Sequence, residues 1–210
     1  MSVVTHGALR RFSLATLPVT PWRNGGGETR EIACVPPGAE DFDWRLSVAT
    51  IAQSGAFSRF AGVDRVITLL TGPGVRLRLD GEVVHELTTP LVPFAFAGET
   101  DVHAELVGEC QDFNVMVRRE RLRADVRVQR AAAPGATTPA HARDALWTST
   151  EGGAVLVTGG AWALSAPAGG AQTLAAGEGA WWEGAADWRI APASPGATIL
   201  IVRLLARDGA

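Results

Sequence analysis

Apolar and β-branched residues alternate with polar ones along most of the chain from Thr29 onward, in short runs separated by Gly, Pro and Asp. Alternation with a period of two is typical of a β-strand with one buried face. Many short strands at this spacing indicate an all-β sandwich or barrel. The predicted strands are TREIACV, WRLSVATI, RVITLLTG, VRLRLDG, FNVMVRR, AVLVTGG, AWALSA, WRIAPA and TILIVRLL.

The strand pattern occurs twice. LLTGPGVRLRLDG is similar to VLVTGGAWALSAP, with Gly72 matching Gly159, and the same offset matches DVHAEL to WRIAPA and FNVMVRR to LIVRLLA. The low-complexity stretch AAAPGATTPA, residues 131–140, separates the two copies. We therefore predict two tandem β-barrels, with a ligand pocket in residues 1–130 and a degenerate second barrel in residues 131–210.

Composition limits the possible partners. The 210 residues carry a net charge of -3 and are 47% hydrophobic, so a core is expected and a basic surface for nucleic acid is not. No apolar run has the length of a membrane span, and no export signal is recognised, so we expect a cytoplasmic protein. Cys34 and Cys110 form no CxxC pair and are interpreted as reduced structural thiols.

The chain contains neither lysine nor tyrosine, and all 19 basic residues are arginine. Schiff-base catalysis by lysine, a P-loop lysine and tyrosine acid/base chemistry are therefore excluded.

Polar residues of the first half fall in rows. In WRLSVATI, Arg45, Ser47 and Ala49 share one strand face, and the opposite face is apolar. Such rows either face solvent or, together with aromatic side chains, line a small pocket for an anion. The candidate ligand-binding residues are Trp22, Asn24, Gly25, Gly26, Thr29, Arg30, Glu31, Arg45, Ser47, Phe57, Ser58, Arg59, Arg65 and Asn114.

Two segments supply most of these candidates. PWRNGGGETRE, Pro21 to Glu31, forms either a turn whose free N–H groups converge on an anion or a plain hairpin turn with Trp22 packed beneath it. GAFSRFAGVDR, Gly55 to Arg65, forms either a loop that directs Ser58 and Arg59 toward the barrel mouth or a packed surface loop with paired arginines.

PWRNGGGETREIA, WRLSVATI, GAFSRFAGVDRVITLLTGPG and DFNVMVRR, in this order between Leu17 and Arg119, closely resemble the HutD/Ves family. The resemblance implies a bicupin fold, in which one chain contains two cupin-like β-barrels. It also implies a role in limiting histidine utilisation by binding an intermediate such as N-formylglutamate or urocanate. Beyond residue 140 only the strand pattern agrees with the family.

Metal-binding cupins usually present an HxH pair followed by Glu and a further His. The histidines of this chain, His6, His85, His103 and His141, lie far apart in the sequence. We therefore expect no bound metal and no cofactor, and His85 beside Glu86 is the best remaining candidate ligand.

Three functions are consistent with these observations. The first is a non-catalytic protein that binds a small carboxylate metabolite. The second is a metal-independent isomerase or hydrolase that uses Glu31 or Asp112 as general base. The third is assembly, including a homodimer, through a surface formed by the tryptophans of the second half: Trp162, Trp181, Trp182 and Trp188. The alternative is that these tryptophans pack in the core of the second half.

Overall fold

The structure is a computed structural model that describes residues 8–133, 145–166 and 169–207. These residues form β-strands and turns, which confirms the predicted all-β class. Within them, no helix is long and apolar enough to cross a membrane. Most of the predicted linker, as well as His6 and His141, lies outside the described residues.

The chain divides into two compact units. Residues 17–124 and 207 belong to the first unit, and residues 8–16 and 125–206 belong to the second. The predicted domains, 1–130 and 131–210, follow the order of the sequence. The contacts instead place the first strand of the chain in the second unit.

The first unit contains two antiparallel sheets. Its strands are β2 (Thr20–Pro21), β3 (Gly27–Val35), β4 (Trp44–Ile51), β5 (Gly55–Ala56), β6 (Val63–Thr71), β7 (Gly74–Leu79), β8 (Val83–Leu87), β9 (Pro93–Ala97), β10 (Val102–Gly108) and β11 (Cys110–Arg118). One sheet has the order β2-β3-β4-β11-β6-β9 and the other the order β5-β10-β7-β8. Apolar side chains from both sheets form one core, which includes Ile51, Leu69, Leu77 and Ala104.

The second unit contains two further antiparallel sheets. Its strands are β1 (Arg10–Ser13), β12 (Leu122–Arg130), which begins in the first unit, β13 (Ala145–Ser149), β14 (Gly152–Gly159), β15 (Ala161–Ser165), β16 (Ala171–Ala175), β17 (Glu178–Glu183), β18 (Ala186–Pro192) and β19 (Thr198–Ala206). The sheet orders are β1-β17-β14-β19-β12 and β13-β18-β15-β16.

The internal repeat found in the sequence is also a repeat of strand pairing. β6 lies between β11 and β9, and its counterpart β14 lies between β19 and β17. Similarly, β7 lies between β10 and β8, as β15 lies between β18 and β16. Paired strands at a constant offset therefore give each unit the same double-sheet architecture, in agreement with the predicted bicupin fold.

The two units differ in what fills them. Trp162, Trp182 and Trp188 belong to the apolar core of the second unit, and Trp181 is also buried. The interpretation of these four side chains as an assembly surface is therefore wrong, because they are not available at the surface. A homodimer through some other face stays a prediction.

The glycine run forms the hairpin turn between β2 and β3. The Trp22 N–H donates to the Gly27 carbonyl at 2.9 Å, and the Gly25 N–H donates to the Trp22 carbonyl at 3.0 Å. Gly25 has a φ of 71°, which favours glycine. At Gly27 a Cβ atom would lie 2.2 Å from the Thr50 carbonyl oxygen and 3.0 Å from the Trp22 ring. The turn thus needs glycine where the hairpin contacts β4.

Gly27→Ala is expected to lower the free energy of unfolding by about 2 to 4 kcal/mol, because the added methyl group would displace the backbone of β4. Gly26→Ala is the matched control, since its Cβ would lie 3.4 Å from the Asn24 side chain and should change stability by less than about 1 kcal/mol. Chemical denaturation of both variants measures the difference. Equal midpoints would contradict the requirement for glycine at position 27.

Candidate functional site

A cavity of about 510 Å³ lies in the first unit, against the sheet that contains β3, β4, β11 and β6. Nine of the predicted ligand-binding residues line it: Trp22, Asn24, Thr29, Arg45, Ser47, Phe57, Ser58, Arg65 and Asn114. The remaining lining residues are Thr20, Pro21, Arg23, Ala49, Ile51, Ala56, Phe60, Asp112 and Met116.

Strand register brings the polar residues of the cavity together. Met116 on β11 lies between Arg65 on β6 and Arg45 on β4. Two residues earlier on β11, Asn114 pairs with Ser47. Because side chains at i and i+2 share a face, alternate positions of these three strands point into the same cavity. The predicted face of β4, with Arg45, Ser47 and Ala49, is the one that lines it.

Arg65 is the buried cation of the cavity, with only 6% of its surface exposed. Its guanidinium donates to the Asn114 Oδ1 atom at 2.9 Å and to the Ser58 carbonyl oxygen at 3.3 Å. The buried Nε atom has no hydrogen-bond partner among the described residues. A buried charged donor without a partner is costly, so the protein satisfies the Arg65 guanidinium only in part.

Three phenylalanine rings surround the Arg65 guanidinium. Its Cζ atom lies 5.0 Å from the ring centroid of Phe96, 5.4 Å from that of Phe57 and 5.6 Å from that of Phe60. The ring faces attract the cation but exclude water. Burial lowers the pKa of Arg65 to about 10, while the charge of Asp112 acts in the opposite direction. Arg65 is therefore still protonated at neutral pH.

Asp112 is the buried carboxylate of the cavity, with 1% of its surface exposed. The Asn114 Nδ2 atom donates to its Oδ1 atom at 2.9 Å, so one amide connects Asp112 to Arg65. Burial raises the pKa of Asp112 to about 6, opposed by the Arg65 charge and by the Asn114 hydrogen bond. Within the described residues, neither Arg65 nor Asp112 forms a direct ion pair, which leaves each charge only indirectly compensated.

Other polar groups of the cavity bind each other. Arg45 Nε donates to Glu31 Oε2 at 2.7 Å, in a partly exposed pair. Trp22 Nε1 donates to Thr29 Oγ1 at 2.8 Å, which fixes the indole beside the hairpin turn. The Arg45 guanidinium thus uses its Nε donor for Glu31, which leaves its two terminal nitrogens for other acceptors.

Five predicted residues do not line the cavity: Gly25, Gly26, Arg30, Glu31 and Arg59. The Gly25 and Gly26 N–H groups donate within the turn, to the Trp22 carbonyl and to Asn24 Oδ1, so they do not converge on an anion. The plain hairpin turn is therefore the alternative that the structure shows.

The three charged residues of this group have other partners. Arg30 is the β-partner of Val48, on the opposite face of the sheet, and pairs with Glu28 at 2.7 Å. Arg59 is largely exposed and pairs with Asp101 at 2.9 Å. Glu31 is the β-partner of Ser47 and accepts a hydrogen bond from Arg45, but it does not line the cavity.

Asp112, Phe60 and Arg23 line the cavity but were not among the predicted binding residues. Asp112 was considered only as a general base. A signal for it was present, because Asp112 and Asn114 in DFNVM are two residues apart and must share a strand face.

The two histidines in the described residues lie apart from one another. His85 stacks on Phe94 with ring centroids 3.6 Å apart, and His103 is exposed on β10. Among the described residues no group of three His, Cys, Asp or Glu side chains could hold a metal ion. Cys34 and Cys110 are both free and buried.

Sequence comparison identifies the relatives of this chain. The family model HutD matches residues 14–200. The chain belongs to the HutD family. HutD-family relatives include Protein Ves of Cronobacter sakazakii, 45% identical over 82% of this chain and 86% of the relative. Protein Ves of Citrobacter koseri is 43% identical over 81% of each chain.

Solved structures agree with this HutD assignment. HutD from Pseudomonas fluorescens SBW25, described in a formate condition, has a TM-score of 0.75 and 30% identity and covers 96% of this chain and 100% of its own. The conserved protein PA5104 from Pseudomonas aeruginosa PAO1 has a TM-score of 0.78 and 31% identity at the same coverage. A cupin 2 barrel protein from Leptotrichia buccalis, 7% identical with a TM-score of 0.61, covers 97% of this chain and 98% of its own and shows the shared cupin fold alone.

Asp112 should make the stability of this HutD-family protein depend on pH. Because its pKa is higher in the folded state, the folded protein binds more protons between pH 4 and 6, and the free energy of unfolding falls as the pH rises through that range. The Asp112 contribution to this fall is roughly 2 to 3 kcal/mol. Denaturation of wild type and Asp112→Asn from pH 4 to 7.5 isolates the contribution, since the variant keeps every other titrating group. Parallel pH profiles would contradict it.

Proposed function

We propose that this HutD-family protein binds a small carboxylate metabolite in the cavity of the first unit, without converting it. The observation that supports this most strongly is Arg65, a buried guanidinium with an unpartnered Nε atom and no ion pair among the described residues. A ligand carboxylate would supply the missing negative charge beside the guanidinium.

The rest of the cavity fits the same class of ligand. A volume of about 510 Å³ is of the size that holds small metabolites. Phe57, Phe60 and Trp22 supply apolar walls, and Arg45 and Ser47 supply further donors. Such a mixture of aromatic surface and a few fixed polar groups favours binding of a small anion with an apolar carbon skeleton.

We propose further that the ligand is an intermediate of histidine degradation, such as N-formylglutamate or urocanate, and that its binding limits histidine utilisation. Family membership supports this role, together with the carboxylate that both compounds contain. We also propose a cytoplasmic location, with which the two free cysteines are consistent.

Arg45→Gln should weaken binding at least tenfold for whichever of the tested ligands the wild type binds, because the substitution removes a guanidinium that lines the cavity. Arg30→Gln is the matched control, since Arg30 also forms an ion pair on the same sheet but faces away from the cavity. Isothermal titration calorimetry with N-formylglutamate, urocanate and glutamate measures the affinities. The proposal fails if none of these ligands binds the wild type, or if both variants bind as the wild type does.

A second candidate function is that of a metal-independent isomerase or hydrolase. The environment of Asp112 is the observation that favours it. A carboxylate in the cavity whose pKa is raised to about 6 by burial has the proton affinity of a general base. Glu31 is less suited, because it is paired with Arg45 and does not line the cavity.

If the protein is an enzyme, Asp112→Asn should abolish turnover and retain binding, whereas Glu31→Gln should retain both. Proton NMR of each candidate metabolite incubated with stoichiometric protein measures conversion. A spectrum unchanged over many hours with wild-type protein that binds the same ligand would remove this candidate and leave the binding proposal in place.

A further inference from the structure

The negative charge of Asp112 opposes the binding of an anion in the cavity. Its side chain is buried, lines the cavity and is within one amide of Arg65, the group best suited to bind a ligand carboxylate. The hydrogen bonds to Asp112 come from Asn114 and from the backbone N–H groups of Asp112 and Ala49. A second carboxylate placed nearby would face a buried like charge, which is strongly unfavourable unless something neutralises it.

The charged and titratable groups around Asp112 are few. Arg65 on β6 and Arg45 on β4 line the same cavity on either side of Met116, and Arg23 lines it as well. Arg65 is a cation at neutral pH. Cys110 on the same strand is neutral, because burial, with the Asp112 charge, raises the pKa of its thiol to about 11. On β3 the nearest residue in register is Thr29, the partner of Ala49.

The remaining neighbours of Asp112 are small or apolar. Its β-partners are Ala49 on β4 and Leu69 on β6. The facing sheet contributes Leu77 and Ala104 to the core that contains Leu69 and Cys110. Among the described residues, the hydrogen bonds to Asp112 are those from Asn114 and from the two backbone N–H groups, and its charge is not neutralised by an ion pair.

We propose that Asp112 is a specificity-determining residue of this cavity: it accepts a hydrogen bond from an N–H or O–H group that the ligand carries next to its carboxylate. A carboxylate without such a donor binds only with uptake of a proton by Asp112. This inference rests on the proposed function, because it assigns the second recognition group of the same site. The ligand class is narrower than that of the proposed function: it is a carboxylate with an adjacent donor such as an amide N–H or a hydroxyl.

Two five-carbon dicarboxylates test the inference, because 2-hydroxyglutarate has a donor beside its carboxylate and 2-oxoglutarate has only an acceptor there. Calorimetry at pH 7.5 in two buffers with different ionisation heats gives the affinity and the number of protons taken up. We expect wild-type protein to bind 2-hydroxyglutarate at least tenfold more tightly, the effect of one hydrogen bond to a charged group. Binding of 2-oxoglutarate should take up nearly one proton, and binding of 2-hydroxyglutarate none.

Asp112→Asn should bind both compounds within about twofold of one another and without proton uptake, because the amide can donate as well as accept. Asp101→Asn is the control: this exposed carboxylate pairs with Arg59 outside the cavity and should leave the wild-type preference unchanged. Thermal melting checks that both variants are folded.

Failure of this inference can be distinguished from failure of the proposed function. If Asp112→Asn retains the wild-type preference and proton uptake, Asp112 does not determine specificity, and carboxylate binding stands. The same holds if wild-type protein binds both compounds equally and without a proton. If neither compound binds the wild type, and N-formylglutamate, urocanate and glutamate do not bind it either, both proposals are overturned.

Discussion

The cavity depends on a buried cation that the protein compensates only in part. Arg65 is held by one amide oxygen, one carbonyl oxygen and three phenylalanine rings, while Asp112 lies on the far side of the Asn114 amide. A direct ion pair between Arg65 and Asp112 would satisfy both groups and leave neither available to a ligand. The intervening amide keeps the charges apart, so each retains hydrogen-bonding capacity, and the strand register of β11 between β4 and β6 sets their spacing.

The two units differ in their interiors although they share a strand arrangement: the first contains the cavity, and tryptophans pack the core of the second. Both units share the same strand pairing, but the first has two additional strands, β2 and β3, beyond β4 in its larger sheet. Those strands and their turn supply Trp22, Asn24 and Thr29 to the cavity. In the second unit Trp162, Trp182 and Trp188 instead belong to the apolar core.

Much of the fold, and part of the site, follows from alternation. Period-two patterning predicted the strands, and it placed Arg45, Ser47 and Ala49 on the face that lines the cavity. The same rule puts Arg30 on the face opposite to Thr29, so its assignment to the site conflicted with the pattern itself. The direction of a loop side chain such as that of Arg59 is harder to predict, because a loop has no periodicity that assigns its side chains to a face. The pairing of β1 with β17 has no local signal at all, since four residues carry too little pattern to specify a distant partner.

The pairing of β1 with β17 also has a consequence for the order of assembly during synthesis. Residues 17–124 form a unit whose strands are contiguous in the chain, so this unit can fold before the rest of the chain has been synthesised. The first strand must wait until residues 178–183 have emerged. Until then, residues 10–13 have no partner strand, because β17, whose edge they cover, has not yet been synthesised. Completion of the second unit therefore requires synthesis of strands that lie more than 160 residues after its first strand.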